Sequence, residues 1–129
     1  MDLKDKNRWG LTRLLRSFVY AWSGLRYVLV NEQNMRIHLL IGTVIIFVSF
    51  MLDVSKLEKV ILLLVIGVVF SLEVMNTAIE RTIDFVTNEY HPLAKIAKDI
   101  AAAAVFVFSL IAVIIGLIIL LPPLLAVFI

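Results

Sequence analysis

The sequence predicts an all-α integral membrane protein: an N-terminal amphipathic surface helix followed by three transmembrane helices. Three observations carry that prediction. Hydrophobic residues make up 62% of the chain and mean hydropathy is +1.03, well above the roughly 45–50% apolar content of soluble domains. The charges are clustered, which leaves long uncharged runs such as Val60–Leu72 and Ile100–Leu121. The acids that break the apolar pattern recur at helical spacing. At 129 residues the chain has room for one domain, residues 1–129. With no cysteine there is no disulfide and no thiolate metal site. A net charge of +2 gives no footing for a nucleic-acid partner. The first thirty residues are charged and interrupted, unlike a cleaved signal peptide, so the first span is expected to direct insertion.

Met1–Gly10 is polar and is expected to fray. From about 11 to 28, Leu11, Leu14, Leu15, Phe18, Trp22 and Leu25 recur at helical spacing, with Arg13, Arg16, Ser17 and Tyr20 on the other side. A helix with aromatic and basic faces suits the membrane–water boundary, lying flat as an anchor. Arg13, Ser17, Tyr20 and Gly24 line up on it, so its polar face is also suited to an anionic ligand, and Ser17 and Trp22 are candidate supporting or substrate contacts.

Asn31–His38 is a polar passage into the first span, about 35–52. Glu32 and Arg36 are four apart, placed to pair on a helix surface. His38 has no ligand-type neighbours in sequence and reads as interfacial rather than metal-binding. The uncharged stretch Ile37–Leu52 is slightly short for a span of about 20 residues, but its polar entrance and snorkelling flanks extend it. Ser55 in the next connection is a plausible helix cap. The second helix, about 57–86, has only 13 apolar residues before Glu73, so it crosses the bilayer only by continuing through its acids. Pro92 fits the first turn of the third span, about 92–121. That span carries the small residues Ala101–Ala104, which admit a close neighbouring helix, and is expected to end at Pro122 and Pro123.

Lys and Arg number seven before the first span, two in the first loop, three around the second loop and none after the third span. The positive-inside rule then sets the N-terminus and the second loop on the cytoplasmic side of the cell membrane. In that topology Arg13, Tyr20, Glu32, Glu80, Glu89, Lys98 and Asp99 gather at the cytoplasmic boundary.

The second helix carries the unusual chemistry. Glu73, Asn76 and Glu80 fall on one face, with Thr77 and Asp84 close to the same line. Ionisable residues inside a membrane helix mark a functional site by default. Carboxylates at an interface suit Mg²⁺, which shares hard oxygen ligands with nucleotide phosphates. Glu32 and Glu80 have the height for such a metal, and Glu73, lying deeper, has the depth to take a proton from a lipid hydroxyl. No Walker A sequence, protein-kinase glycine loop or His-Arg-Asp triplet is present. From pattern alone three readings stand side by side: lipid phosphorylation, a proton- or cation-translocating subunit, and a structural role in which Glu73 bonds Asn76-type groups on a neighbour to lock an oligomer.

The block Glu73–Asp84 reads Glu-Val-Met-Asn-Thr-Ala-Ile-Glu-Arg-Thr-Ile-Asp, followed by Glu89–Lys95 and by Ala97, Lys98 and Asp99. Together with Leu11–Arg13, Ser23–Leu25 and Asn31–Glu32, these residues resemble the prokaryotic diacylglycerol kinase family, over Gly10 to about Leu121. The resemblance implies a small homotrimeric membrane lipid kinase whose active sites form between protomers. It implies Glu73 as the catalytic base, and Glu32 and Glu80 as ligands of Mg²⁺ bound with ATP. Arg13, Tyr20, Glu32, Glu80, Glu89, Tyr90, His91, Lys98 and Asp99 are then ATP contacts, with Asn76 in support. His38 stands where the diacylglycerol-specific branch has an acid. His91–Lys95, the short polar N-terminus and the Gly116–Pro122 tail are similar to the Gram-positive branch. That branch implies undecaprenol as the lipid alcohol, with diacylglycerol as the alternative.

Overall fold

The computed structural model describes residues 10–87 and 89–127. The polar start at residues 1–9 and the last two residues of the apolar tail lie outside them. The described residues form four helices: α1 Leu11–Asn31, α2 Gln33–Met51, α3 Lys56–Val86 and α4 Pro92–Ala126. Helices α2, α3 and α4 are each long and apolar enough to cross a membrane. At 1.5 Å per residue the 31 residues of α3 extend about 46 Å, well beyond a hydrocarbon core of about 30 Å. An α3 that crosses the layer must therefore emerge from it at one end. Glu73 is about 26 Å along the helix from Lys56, less than the thickness of the layer, and Glu80 about 36 Å, more than it.

Local chemistry accounts for each boundary. The helix α1 closes at Asn31, whose side chain donates to the Tyr27 carbonyl at 2.8 Å and so competes with the backbone ladder. Glu32 then takes an extended conformation (φ −106°, ψ 119°) before α2 begins. This break removes the expected Glu32–Arg36 pair, because four-residue spacing brings side chains together only on a continuous helix. Ser55 caps α3 as expected, in a reciprocal arrangement: its Oγ accepts the Glu58 N–H at 3.3 Å while Glu58 Oε2 accepts the Ser55 N–H at 2.8 Å. Pro92 opens α4, and His91 Nδ1 accepts the Leu93 N–H at 3.2 Å.

The far end of α4 departs from expectation. The helix runs through Pro122 and Pro123 to Ala126 instead of stopping near Leu121. Proline removes an N–H donor, but its fixed φ of about −65° is itself helical, so the pair weakens the last turns without ending them.

α3 packs against each of the other helices, most extensively α4. Val54, Leu62, Ile119 and Leu120 form a buried apolar cluster near the α2–α3 turn. Asp84 pairs with Lys98 far from that cluster, so α3 and α4 run antiparallel. Phe47, Phe50, Leu63, Leu64 and Phe106 are exposed, as side chains facing lipid would be. Gly42 sits where α2 crosses α3, and a Cβ there would meet Ile66 Cγ2 at 2.9 Å and Phe70 Cζ at 3.5 Å. Gly42→Leu should therefore force the helices apart, with a cost of about 1–3 kcal/mol. Thermal unfolding in detergent reads this as a lowered Tm, and an unchanged or raised Tm would show that α2 and α3 do not meet there.

Candidate active site

The face predicted on α3 is present and turned inward. Glu73 is 3% exposed, and Asn76 and Thr77 beside it are also buried. A buried carboxylate without partners is costly, and the neighbour that meets it comes from α2: His38 Nε2 stands 3.2 Å from Glu73 Oε1. Glu32 and Glu80 lie close enough for their charges to act on Glu73. One turn on, Asn76 Nδ2 donates to Glu80 Oε1 at 3.1 Å. The other amide atom, Asn76 Oδ1, is buried with no hydrogen-bond partner.

A second layer, closer to the charged ends of the helices, ties the elements together. Arg81 Nη2 donates to Glu32 Oε1 at 2.6 Å, and its Nη1 lies 3.8 Å from Asp84 Oδ2. The guanidinium also lies over the Tyr27 ring, 5.8 Å from its centroid, within cation–π range. Lys98 donates to Asp84. Glu32, Arg81, Asp84 and Lys98 thus link the α1–α2 junction, α3 and α4 in one chain of ion pairs. Asp99 is held separately by Lys95 at 2.5 Å on the exposed side of α4.

Below His38 an apolar cavity of about 340 Å³ opens between α2, α3 and α4. Its walls include Gly42, Ile66, Phe70, Val113 and Leu117, and the polar side chains that reach it are His38 and Ser109. His38 lines this cavity and also meets the Glu73 carboxylate, which is not itself a lining side chain; a carboxylate so placed is next to a greasy cavity and can take a proton from a polar group on an otherwise apolar molecule.

Not every sequence candidate joins this cluster. Arg13, Ser17, Tyr20 and Trp22 are exposed on α1, and the Ser17 hydroxyl donates to the Arg13 carbonyl. Tyr27 and the buried Val28, which reach the bundle, lie about 20 Å along the helix from Arg13. Glu89 and Tyr90 are exposed in the α3–α4 connection. There the Glu89 N–H donates to Thr87 Oγ1 at 3.2 Å. His91 is engaged as the cap of α4. Among the described residues no three His, Cys, Asp or Glu side chains are gathered as a metal site. Sequence reasoning missed His38, Arg81 and Tyr27 as site residues. The available signal was a lone polar ring at the entrance of an apolar run, and an arginine directly after Glu80.

Comparison with known proteins fits this geometry. Residues 19–120 match the family described as prokaryotic diacylglycerol kinase. The chain is 46% identical to an undecaprenol kinase of Bacillus subtilis, covering 96% of this chain and 100% of that one. It is 42% identical to a diacylglycerol kinase of Synechocystis, over 94% of this chain and 70% of the relative. A diacylglycerol kinase of Escherichia coli is 34% identical over 84% and 88% of the two chains. With its membrane-spanning helices and its buried acidic face, the chain belongs to the prokaryotic diacylglycerol kinase family and is a membrane lipid kinase.

Proposed function

We propose that this chain phosphorylates undecaprenol, in preference to diacylglycerol, with ATP as donor, at the cytoplasmic face of the cell membrane. The observation that carries the reading is the buried Glu73 carboxylate against His38, the side chain that heads the apolar cavity. The 46% identity to a protein named undecaprenol kinase favours the polyprenyl alcohol. In the reaction the lipid hydroxyl gives its proton to Glu73 as its oxygen bonds to the γ-phosphorus. The bond from that phosphorus to the bridging oxygen breaks, and ADP leaves with the electron pair. Catalysis of this kind rests on positioning and charge more than on covalent chemistry.

Glu32 and Glu80 fit Mg²⁺ by donor chemistry. Both offer hard carboxylate oxygens, and Asn76 Oδ1 on the same face is a buried oxygen without a partner. Mg²⁺ is held through one or two carboxylates plus substrate phosphates, so the lack of a three-acid cluster is no obstacle. When bound it would neutralise phosphate charge. Arg81 must then release Glu32. Lys98, Asp99, Glu89, Tyr90 and His91, with Arg13 and Tyr20 from the surface helix α1, would contact the nucleotide. Ser17 and Trp22 would support that helix at the membrane boundary. Because the first turns of α1 lie far from the Glu73 face, Arg13 and Tyr20 would serve the site of a neighbouring protomer, in keeping with a homotrimer.

Glu73→Gln should lower kcat by at least about 10²-fold, the low end for loss of a general base, while ATP affinity stays within a factor of two. Strong residual turnover would remove Glu73 from the base role. Glu32→Gln and Glu80→Gln should each raise the Mg²⁺ concentration for half-maximal rate about tenfold or more, and chelation should abolish transfer. Unaltered Mg²⁺ titrations in both variants would exclude these ligands. In mixed micelles with labelled ATP, undecaprenol should give a higher kcat/KM than diacylglycerol, and the reverse order would reassign the substrate.

A further inference from the structure

Hydroxyls along these helices mostly fold back on their own backbone. Thr43, Ser71 and Thr82 each donate to the carbonyl four residues earlier, at 2.7–2.9 Å. Such a bond satisfies the group inside an apolar layer. Ser109 on α4 differs. Its Oγ is buried without a hydrogen-bond partner, and the side chain lines the same apolar cavity as His38. A buried hydroxyl left unpaired is unfavourable unless something supplies the missing bond.

The helix register places this hydroxyl at the catalytic level. Lys98 of α4 pairs with Asp84 of α3, and Leu120 packs with Leu62 in one cluster. Eleven residues from Lys98 along α4 is Ser109, and eleven residues from Asp84 in the opposite direction along α3 is Glu73. On α2, His38 is fixed at that level by its 3.2 Å approach to Glu73. Three helices therefore bring Glu73, His38 and Ser109 to one height, with the apolar walls of the cavity extending away on one side only.

We propose that His38 and Ser109 form the head-group end of the lipid site: Ser109 Oγ bonds the oxygen of the lipid alcohol, and His38 is a positioning residue for Glu73. This rests on the lipid-kinase reading above and adds to it the side chains that hold the acceptor. With His38 occupying Oε1, the other carboxylate oxygen of Glu73 is left for the substrate proton. The ligand class is a long-chain alcohol whose oxygen sits between Ser109 and Glu73, with the adjoining stretch of chain in the cavity. Ser109 can donate or accept in that bond, so it suits both an alcohol before transfer and a phosphate ester after it.

Steady-state kinetics in mixed micelles with undecaprenol separate the two roles. Ser109→Ala removes one atom and should raise the KM for the lipid about five- to tenfold, leaving the KM for ATP within a factor of two. His38→Phe keeps an aromatic wall on the cavity but loses the donor. It should lower kcat at least tenfold with little change in the KM for ATP. His38→Gln, which offers an amide N–H at similar reach, should recover most of that loss. Lipid KM within twofold of wild type in Ser109→Ala overturns the substrate contact. Wild-type kcat in His38→Phe, or failure of His38→Gln to exceed His38→Phe while ATP still binds, overturns the positioning role. If the unmodified protein phosphorylates no lipid alcohol, the functional reading itself fails, and this inference falls with it.

Discussion

A carboxylate sunk in hydrocarbon has to be answered by something within reach. Glu73 lies about 26 Å along α3 from Lys56, on a helix apolar enough to cross a membrane, and it is almost wholly buried. His38 answers it from the neighbouring helix. That contact depends on α2 and α3 lying close together, and Gly42, one turn further along α2, is where a side chain would push them apart. The placement of the site thus follows from a single close helix crossing. A pair of this kind is weak evidence for stability, since removing charges from water is expensive. What the contact does is fix the Glu73 carboxylate against α2.

The molecule separates its tasks by height. At one end Val54, Leu62, Ile119 and Leu120 are buried together, and apolar contact does the holding. At the other end Glu32, Arg81, Asp84 and Lys98 bridge the helices. Arg81 and Asp84 are about half exposed, and ion pairs in that setting are worth about 0–1 kcal/mol each. They organise the end of the bundle more than they stabilise it, and they can exchange partners cheaply. The cavity shares Leu62 and Leu120 with the apolar cluster and reaches up to His38 and Ser109, greasy along its walls and polar at its head. A lipid alcohol has that same division.

Much of this was legible from one helix at a time. The stripe of Glu73, Asn76, Thr77 and Glu80 follows from spacing within α3, and the Asn76–Glu80 bond is its direct result. The cap at Ser55 and the start of α4 at Pro92 were also local. What depended on two helices was not legible. His38 looked like an interfacial residue because its partner is on α3, thirty-five positions away. Glu32 and Arg36 have the spacing of a helix pair, and neither proline nor glycine marks the break between α1 and α2; the local sign is only Asn31, whose side chain bonds the Tyr27 carbonyl. The true partner of Glu32, Arg81, is 49 residues distant. The prolines at 122 and 123 were read as a stop, whereas they only strip donors from a helix that other residues continue. Arg13 and Tyr20 were grouped with the acids by their boundary position, yet one chain alone does not bring them to Glu73.

The proposed reaction turns on where one oxygen atom sits. A structure of the protein in a bilayer mimetic with undecaprenol, Mg²⁺ and a non-hydrolysable ATP analogue tests it most directly. The lipid hydroxyl should lie within about 3 Å of the Glu73 carboxylate, with its chain leaving through the cavity between α2, α3 and α4. A hydroxyl bound elsewhere, with Glu73 still closed off behind His38, would contradict it.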